Sequence, residues 1–558
     1  MISVRSLRYA FPCLVLFSSS LLAQVTGGPS ASREVGPEAK HHKFYRETGP
    51  WAIEVLEFDY KHLYLQLETV RAQQPNGLEL TSRLSAREDR KGARVVAAIN
   101  GDFFDKQGFP LNLQIRQGEI VHGVYPRSVF VMNADKQPGI AVPELTGFVI
   151  SRRGALHAIA GVNRARREDE MIAYNRFNGA NTNTNRYGTE TALRLLGRSC
   201  VNDTITAVVL TQMRQSGNSA LHDSLYVLSA HGRAANWAAQ HLVEGDTVKL
   251  LWQIPQAPAC LTAAIGGTPR LIRDGKISIE SEVEQNRPDF APTRHPRTAI
   301  GFNERNTRMY FVVVDGRQPG YSVGMSLQEL AEFMLELGCT QAINLDGGGS
   351  STMVVRGDVV NRPSDLAGER PVANALLLIS SAPQGPAAFL SLWPKRIEIL
   401  TGEEFKFSAS QTDSFYNPIL TQAEEVQWRT TALTGRLANQ GIFTAGSQPD
   451  SGYVFAATGI ARDSAKVIVH HPMALEIVPA EVNLKLGTTQ RFSARIITST
   501  GKHITLAAAK MQWSIDFPGV TLAPDGTFVA SRPGRYTLIA SYESPVSKLK
   551  AEATIEVD

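Results

Sequence analysis

The sequence predicts an α+β region, mostly β in mixed sheets with a few helices, followed by two all-β sandwich modules. Three observations lead there. Between Trp51 and Ile379 short apolar runs alternate with period two, the pattern of strands with one buried face. After Ser326 the spacing turns helical: Leu327, Leu330, Ala331, Met334, Leu335 and Leu337 share a face, Glu329 stands in capping-box position, and Gly338 closes the run. Beyond a Pro/Gly/Ser/Ala linker the chain repeats. Pro394, Phe407, Trp428, Gly441, Phe443 and Ala445 recur as Pro479, Phe492, Trp513, Gly526, Phe528 and Ala530, each 85 residues later. Short strands at regular spacing around a core Trp describe a sandwich module.

At 558 residues the chain is too long for one ordinary domain. Residues 1–23 read as a secretory signal, with Arg5 and Arg8 before an apolar run from Phe11 to Leu22 and Ala23 at the cleavage site. The run is about a dozen residues, short of the roughly 20 that span a bilayer. The expected address is therefore secreted, periplasmic or cell-surface, with no membrane span after signal cleavage. The expected division is a flexible lead-in over 24–42, a main domain over 43–381, a linker over 382–386, and modules over 387–471 and 472–558. A net charge of +4 asks for neither nucleic acid nor an anionic membrane. Cys200, Cys260 and Cys339 follow the signal; two of the three could pair, with Cys200–Cys260 the first choice.

In order, strands are expected at Trp51–Phe58, Leu63–Glu68 and Arg94–Ile99, with a short helix near Leu84–Arg90. A hairpin turns at Arg116-Gln117-Gly118, and Val129–Met132 adds a strand. From about 145 to 255 the pattern is less regular. Arg164, Arg166 and Arg167, followed by Glu168, Asp169 and Glu170, read as a solvated charged face, and 178–186 as a polar loop. Glu190 follows that loop, where a lone Glu is usually exposed, so it is a weak third carboxylate. A further hairpin turns at Asp274-Gly275.

The candidate chemistry sits at strand ends. Asn344-Leu345-Asp346-Gly347-Gly348-Gly349-Ser350-Ser351 brings a carboxylate, three glycines and two hydroxyls to one turn. Amides in such a turn can nest an anion, and the carboxylate can do acid/base work or hold a cation. Asn100-Gly101-Asp102 repeats the Asn-x-Asp spacing after another strand, and Val314-Asp315-Gly316-Arg317 ends a third. Arg297 opens a strand after Pro296, where a guanidinium would suit bidentate capture of a phosphate or carboxylate, or would pair a buried Asp. No His cluster accompanies the Asp residues, so no cofactor is required, although oxygen ligands could hold Ca²⁺ or Mg²⁺.

These stretches, with Ala98-Ile99-Asn100-Gly101-Asp102-Phe103-Phe104, Gly266-Gly267-x-Pro, Pro296-Arg297-Thr298-Ala299-Ile300-Gly301 and Arg370-Pro371-Val372-Ala373-Asn374-Ala375, resemble the phosphodiester glycosidase family in its order over roughly 50–381. The C-terminal modules resemble bacterial immunoglobulin-like repeats. The resemblance implies a secreted hydrolase that cleaves the glycosidic bond of a sugar 1-phosphodiester in a glycoconjugate, using two carboxylates. The strand-end carboxylates suit that chemistry: Asp315, Asp346 and Asp102 are the catalytic candidates, with Asp346 and Asp315 expected as the acid/base pair. Arg297 and the Gly347, Gly348 and Gly349 amides would clamp phosphate. Asn100, Asn344, Ser350 and Ser351 would orient the substrate, together with Thr298, Gly101, Gly316, Arg317 and Asn374. The modules would be spacers or would touch cell wall or polysaccharide. Two other classes compete: a non-catalytic polysaccharide binder and a metal-dependent phosphodiesterase.

Overall fold

The computed structural model describes residues 28–73, 77–419, 426–431, 435–506, 510–517 and 520–558. The expected signal at 1–23 lies outside the described residues.

Two stacked sheets between two helices carry the candidate site. The first is an eight-stranded antiparallel sheet in the order Ala31–Gly36, Ala39–Arg46, Trp51–Asp59, Arg308–Val314, Arg297–Asn303, Gln341–Asn344, Arg270–Arg273 and Lys276–Ile277. The second has five strands in the order Asp358–Val359, Met353–Val355, Arg94–Asn100, Asn374–Ser380 and Leu65–Arg71. Period-two alternation explains the stacking. On the strand Arg308–Val314, Met309, Phe311 and Val313 face the second sheet and pack with Val96, Ile99, Met353 and Leu376. Tyr310, Val312 and Val314 face the other way, onto Leu327, Leu330, Ala331 and Met334 of the helix Leu327–Glu336. That helix starts on a complete capping box between Ser326 and Glu329, as its spacing predicts, and Gly338 follows it at φ +89°. The helix Thr81–Glu88 covers the far side of the second sheet through Leu84.

The stretch that looks irregular in sequence folds as a second eight-stranded sheet, running from Leu156–Ile159 through the long strand Thr204–Arg214 to Gly161–Val162, with a helix at Gly232–His241. Its strands are hard to read because several have only two to four residues, and Thr204–Arg214 carries Val208 and Leu210 on its more open face. It shares a core with the five-stranded sheet that contains Gln114–Arg116 and Leu261–Gly266. The Gln117-Gly118 turn joins Gln114–Arg116 to Glu119–His122 as expected, both residues at positive φ.

The segment expected as a flexible lead-in is instead ordered from Ala31. Ala31–Gly36 and Ala39–Arg46 form a hairpin on the edge of the first sheet, because Val35, Ala39, His41 and Phe44 find buried positions there. Past 381 the strands fall into two sets that repeat the 85-residue offset. Gln427–Thr430 matches Gln512–Ile515, and Glu404–Lys406 matches Thr489–Arg491. Trp428 and Trp513 are half-buried rather than fully enclosed. Each ring lies on a glycine, Gly441 at φ +77° and Gly526 at φ +83°, where a Cβ would meet both the ring and a backbone carbonyl.

Cys200 and Cys260 form a disulfide across 60 residues, and Cys339 is free and buried. The bond ties the second eight-stranded sheet to the strand Leu261–Gly266, beside the Val201–Leu261 bridge. Closing a loop of 60 residues stabilises by about 4 kcal/mol in the chain-entropy account. Replacing both cysteines by serine is expected to lower the urea midpoint of the oxidised protein. An unchanged midpoint in that comparison overturns the expectation.

Candidate functional site

The glycine turn is the crossover between the two stacked sheets. The chain leaves the first sheet at Asn344, passes Asp346, and enters the second at Met353. One side chain holds both ends of the crossover. Asn100 Nδ2 donates to the Asp346 carbonyl at 2.7 Å, and Asn100 Oδ1 accepts from the Thr352 amide at 3.1 Å and from Thr298 Oγ1 at 2.8 Å. The Asp346 amide in turn donates to the Gly101 carbonyl at 3.0 Å. Gly101 is required because a Cβ there would fall 2.3 Å from Ile265 and 2.4 Å from Asn374 Oδ1.

This arrangement sets Asp102 beside Asp346. Asp102 is 2% exposed, its amide held by Asn374 Oδ1 at 2.8 Å and its Oδ2 accepting from the Asn112 amide at 2.7 Å. Burial pushes its carboxyl up to about 7, and the Asp346 charge adds to that rise against the Asn112 and Phe103 amides. Asp346 is half-buried, and burial raises it to about 6 against the Ser350 hydroxyl, Arg370 and the Gly347 amide. The Ser350 hydroxyl is close enough to favour the charged form, yet meets no strict hydrogen-bond geometry with any group.

Asp315 belongs to a separate network. Its two oxygens accept from Asn361 Nδ2, Tyr321 Oη and the Arg362 amide, all at 3.0 Å. Asn361 Nδ2 also donates to the Ser351 carbonyl, so Asp315 braces the exit of the glycine turn through Asn361. Burial raises Asp315 to about 6, and the carboxylate that adds to the rise is Glu54, not Asp346 or Asp102.

Arg297 is fully buried, with Nε on the Met325 carbonyl at 2.9 Å and Nη2 on the carbonyls of Phe290 and Thr293 at 3.1 and 2.7 Å. Two of its three nitrogens are thus spent on backbone, and among the described residues it pairs with no Asp. Arg317 is exposed and lies over Gly348, where a Cβ would be 3.1 Å from its Nη2. That nitrogen contacts His295 Nδ1 at 3.3 Å, and among the described residues no carboxylate pairs with Arg317. His295 is held below the usual imidazole range by burial, then by Arg297 and Arg317, which suits an accepting Nδ1. The amides expected to nest an anion are partly consumed: Gly348 N donates to the Pro296 carbonyl, and Gly347 N faces Asp346. The Arg370–Asp365 pair lies over Gly349. Gly316 packs on Pro296 and Gly324.

The structure therefore gathers Asn100, Gly101, Asp102, Thr298, Asp346 and Asn374 in one network, with Arg317 at the turn. Asn344 points away, its Nδ2 on the Thr268 carbonyl at 2.6 Å. Its Oδ1 is a buried polar atom without a partner, as are the hydroxyls of Ser351 and Thr352. Such orphans are rare in folded chains and mark where a polar ligand would be welcome. Glu190 is not an exposed third carboxylate: it is fully buried under Thr182, Thr184 and the Ser219 amide. Sequence reasoning missed His295, Asn112, Tyr321 and the Phe103–Phe290 ring pair; the Arg294-His295-Pro296 run was the one available signal, since the others act through contacts distant in the chain. Among the described residues no group of three or more His, Cys, Asp or Glu is placed to hold a metal ion, and no helix is long and apolar enough to cross a membrane.

The N-acetylglucosamine-1-phosphodiester α-N-acetylglucosaminidases of Bos taurus and Homo sapiens are each 36% identical to this chain over 110 residues, which is 18% of this chain. The chain spans about a fifth of the length of these relatives, 20% and 21%. Among solved structures, a hypothetical protein from Synechocystis is 19% identical, covers 62% of each chain and gives a TM-score of 0.46. The zebrafish N-acetylglucosamine-1-phosphodiester α-N-acetylglucosaminidase catalytic domain is 15% identical, covers 62% of this chain and 87% of its own, and gives 0.34. The family model for phosphodiester glycosidase matches residues 200–379, which include Arg297, Asp315, Asp346 and Asn374 but not Asn100 or Asp102. Over residues 200–379 the chain is thus similar to the phosphodiester glycosidase family.

Proposed function

We propose that this protein is a secreted glycosidase that hydrolyses a sugar 1-phosphodiester, breaking the bond between the anomeric carbon and the phosphate oxygen. The observation that carries the reading is the coupling of Asp102 to the Asp346 charge, two carboxyls both pushed upward by burial, at a turn whose Gly348 lies under Arg317. Two carboxylates flanking a scissile bond are the usual equipment of glycoside hydrolysis. Asp346 has the greater exposure, so it is the base that takes the proton of the attacking water. Asp102, half protonated near neutrality, is the acid that gives its proton to the departing phosphate oxygen. Arg317 meets the charge of that phosphate, and Phe103 and Phe290 offer an apolar face to the sugar. Asp315 and Arg297 then act as positioning residues: the first braces the turn through Asn361, and the second fixes the backbone of 290–293 and 325. The main domain runs from the Ala31 hairpin to 381. The two C-terminal modules, immunoglobulin-like in this reading, hold it away from the cell surface or on a polysaccharide.

Activity is expected to rise through about pH 6 as Asp346 ionises and to fall through about pH 7 as Asp102 loses its proton. Initial rates on a sugar 1-phosphodiester should give a bell with its top between those values. Asp346→Asn should remove the rising limb and cost at least about 100-fold in kcat. A variant that keeps full activity overturns the assignment.

Replacing Arg317 by Gln is expected to lower kcat/KM by about 10- to 100-fold, the worth of one charge-assisted contact, while leaving the unfolding temperature in place. Equal turnover by R317Q sinks the clamp. Reaction in ¹⁸O-water settles the bond broken: label in the sugar supports the glycosidase, and label in the phosphate overturns it.

A further inference from the structure

On the sheet that carries Asn374 lies a cavity that the proposed reaction does not use. It has a volume of about 810 Å³, within the range of small-molecule sites. Three arginines line it, Arg71, Arg164 and Arg166, and among the described residues no Asp or Glu lines it. Arg164 is neutralised by Glu170 at 2.8 Å. Arg71 is not. Arg166 feels the charge of Glu190, which is buried behind Thr182 and Thr184 of the lining, but its hydrogen bonds go to neutral acceptors, Ser229 Oγ at 2.6 Å, the Ala230 carbonyl at 3.3 Å and the carbonyl and side chain of Asn185 at 3.2 and 2.9 Å.

Arg71 is the telling residue. It is 7% exposed, yet its Nε and Nη2 have no hydrogen-bond partner, and its Nη1 makes one long contact of 3.5 Å to the Phe177 carbonyl. Burial lowers its pKa to about 10, with no carboxylate opposing the fall, so it stays charged at neutral pH. A buried, charged and half-orphaned guanidinium is costly unless an anion meets it. The wall around it is built rather than incidental. Phe109 stacks under the Arg71 guanidinium at 5.4 Å, and its other neighbour, His122, is held down to about 4 by burial and by Arg71, so it stays neutral. Asn175 caps the turn at Arg176–Asn178 and accepts from Asn163, which shapes the loop that closes the cavity. Along that loop Asn178, Asn181 and Asn183 bring amides to the lining, the groups that read sugar hydroxyls.

We propose that this cavity is an anion-recognising sugar subsite, which takes a glycan residue carrying a carboxylate or a phosphate group. Arg71 and Arg166 meet the anion, Phe109 and Phe177 face the ring, and the asparagine loop meets the hydroxyls. The run of arginines at 164–167, which looks like a solvated face in sequence, is thereby divided: Arg164 pairs with Glu170, and Arg166 turns inward. The subsite also adjoins the candidate site. Arg71 stands opposite Asn374 in register, and Asn374 Oδ1 holds the Asp102 amide. An acidic glycan seated on Arg71 would thus lie one side chain away from Asp102. The proposal is one of binding and does not depend on turnover.

Calorimetric titration of the full-length protein with three oligosaccharides of equal length tests it: one bearing a uronic acid, one bearing a sugar phosphate, and one neutral. One or both acidic probes should bind, more weakly at higher salt, and at least 10-fold tighter than the neutral one; the two acidic arms identify the anion. Arg71→Gln and Arg166→Gln should each weaken that binding at least 10-fold, and the second, on a half-buried side chain, covers the case in which the first misfolds. Asp346→Asn should leave it unchanged, which separates this subsite from the hydrolytic one. Equal binding of the neutral glycan, no binding of either acidic one, or full binding by folded R71Q and R166Q overturns the proposal.

Discussion

The interaction on which the site depends is the triple hydrogen bonding of the Asn100 side chain. It accepts twice and donates once, to groups drawn from Thr298, Asp346 and Thr352. Those three belong to the strand Arg297–Asn303 of one sheet and to the two ends of the glycine turn. A shorter polar side chain could not span them, and an aspartate would lack the donor for the Asp346 carbonyl. The Asn100 side chain, Thr298 and Thr352 are fully buried, so each bond removed among them would leave an orphan costing about 1–3 kcal/mol. With both ends of the turn pinned, the single 3-10 turn Gly348–Ser350 between them is held close to Arg317 and Arg370.

Pinning the turn in this way forces carboxyls into the space between two packed sheets, and that has an energetic consequence. Asp102, Asp315 and Asp346 all sit above the ordinary carboxylate range, so the folded protein binds protons that the unfolded chain has released. Their contribution to stability is fully present below about pH 4 and is lost as pH rises through about 6 to 7. The site thus works against stability at neutral pH. Asp315 offsets part of the burden with donors to both oxygens, whereas Asp346 keeps fewer partners and more exposure. That difference separates a carboxylate used as a brace from one left able to exchange protons.

The strands that form the two stacked sheets were legible because both the alternation and the Asn-Gly or Asp-Gly endings are local. The helix after Ser326 was legible through its capping box and apolar spacing. The 85-residue repeat gave equivalent strands in the two C-terminal sets. What was not legible depends on long-range pairing. The Ala31–Arg46 hairpin looks like linker by composition, and only the open edge of the Trp51–Asp59 strand recruits it. The sheet through 145–255 is built from short strands whose partners lie far apart in the chain. At the site, residue type and spacing brought out Asp102, Asp315 and Asp346 equally. Spacing alone could not say that Asp102 and Asp346 are neighbours while Asp315 turns to Asn361.

The same limit applies to arginine, and there the structure gives a sharper criterion. Among the described residues neither Arg297 nor Arg71 meets a carboxylate, and both buried cations are lowered to about 10 by burial. They differ in what meets the guanidinium. Arg297 is met by three carbonyls that belong to the segments it organises, so its charge is solvated by backbone dipoles and its role is internal. Arg71 keeps two nitrogens unmet beside an open cavity lined by amides and rings. A desolvated charge with its hydrogen-bonding capacity satisfied by the fold is structure. One whose capacity is left over, at the wall of a cavity without acids, is the mark of an anionic ligand. By that criterion Arg297, the arginine that its strand position made prominent, is the brace, and Arg71, which no motif marks, is the recognising group.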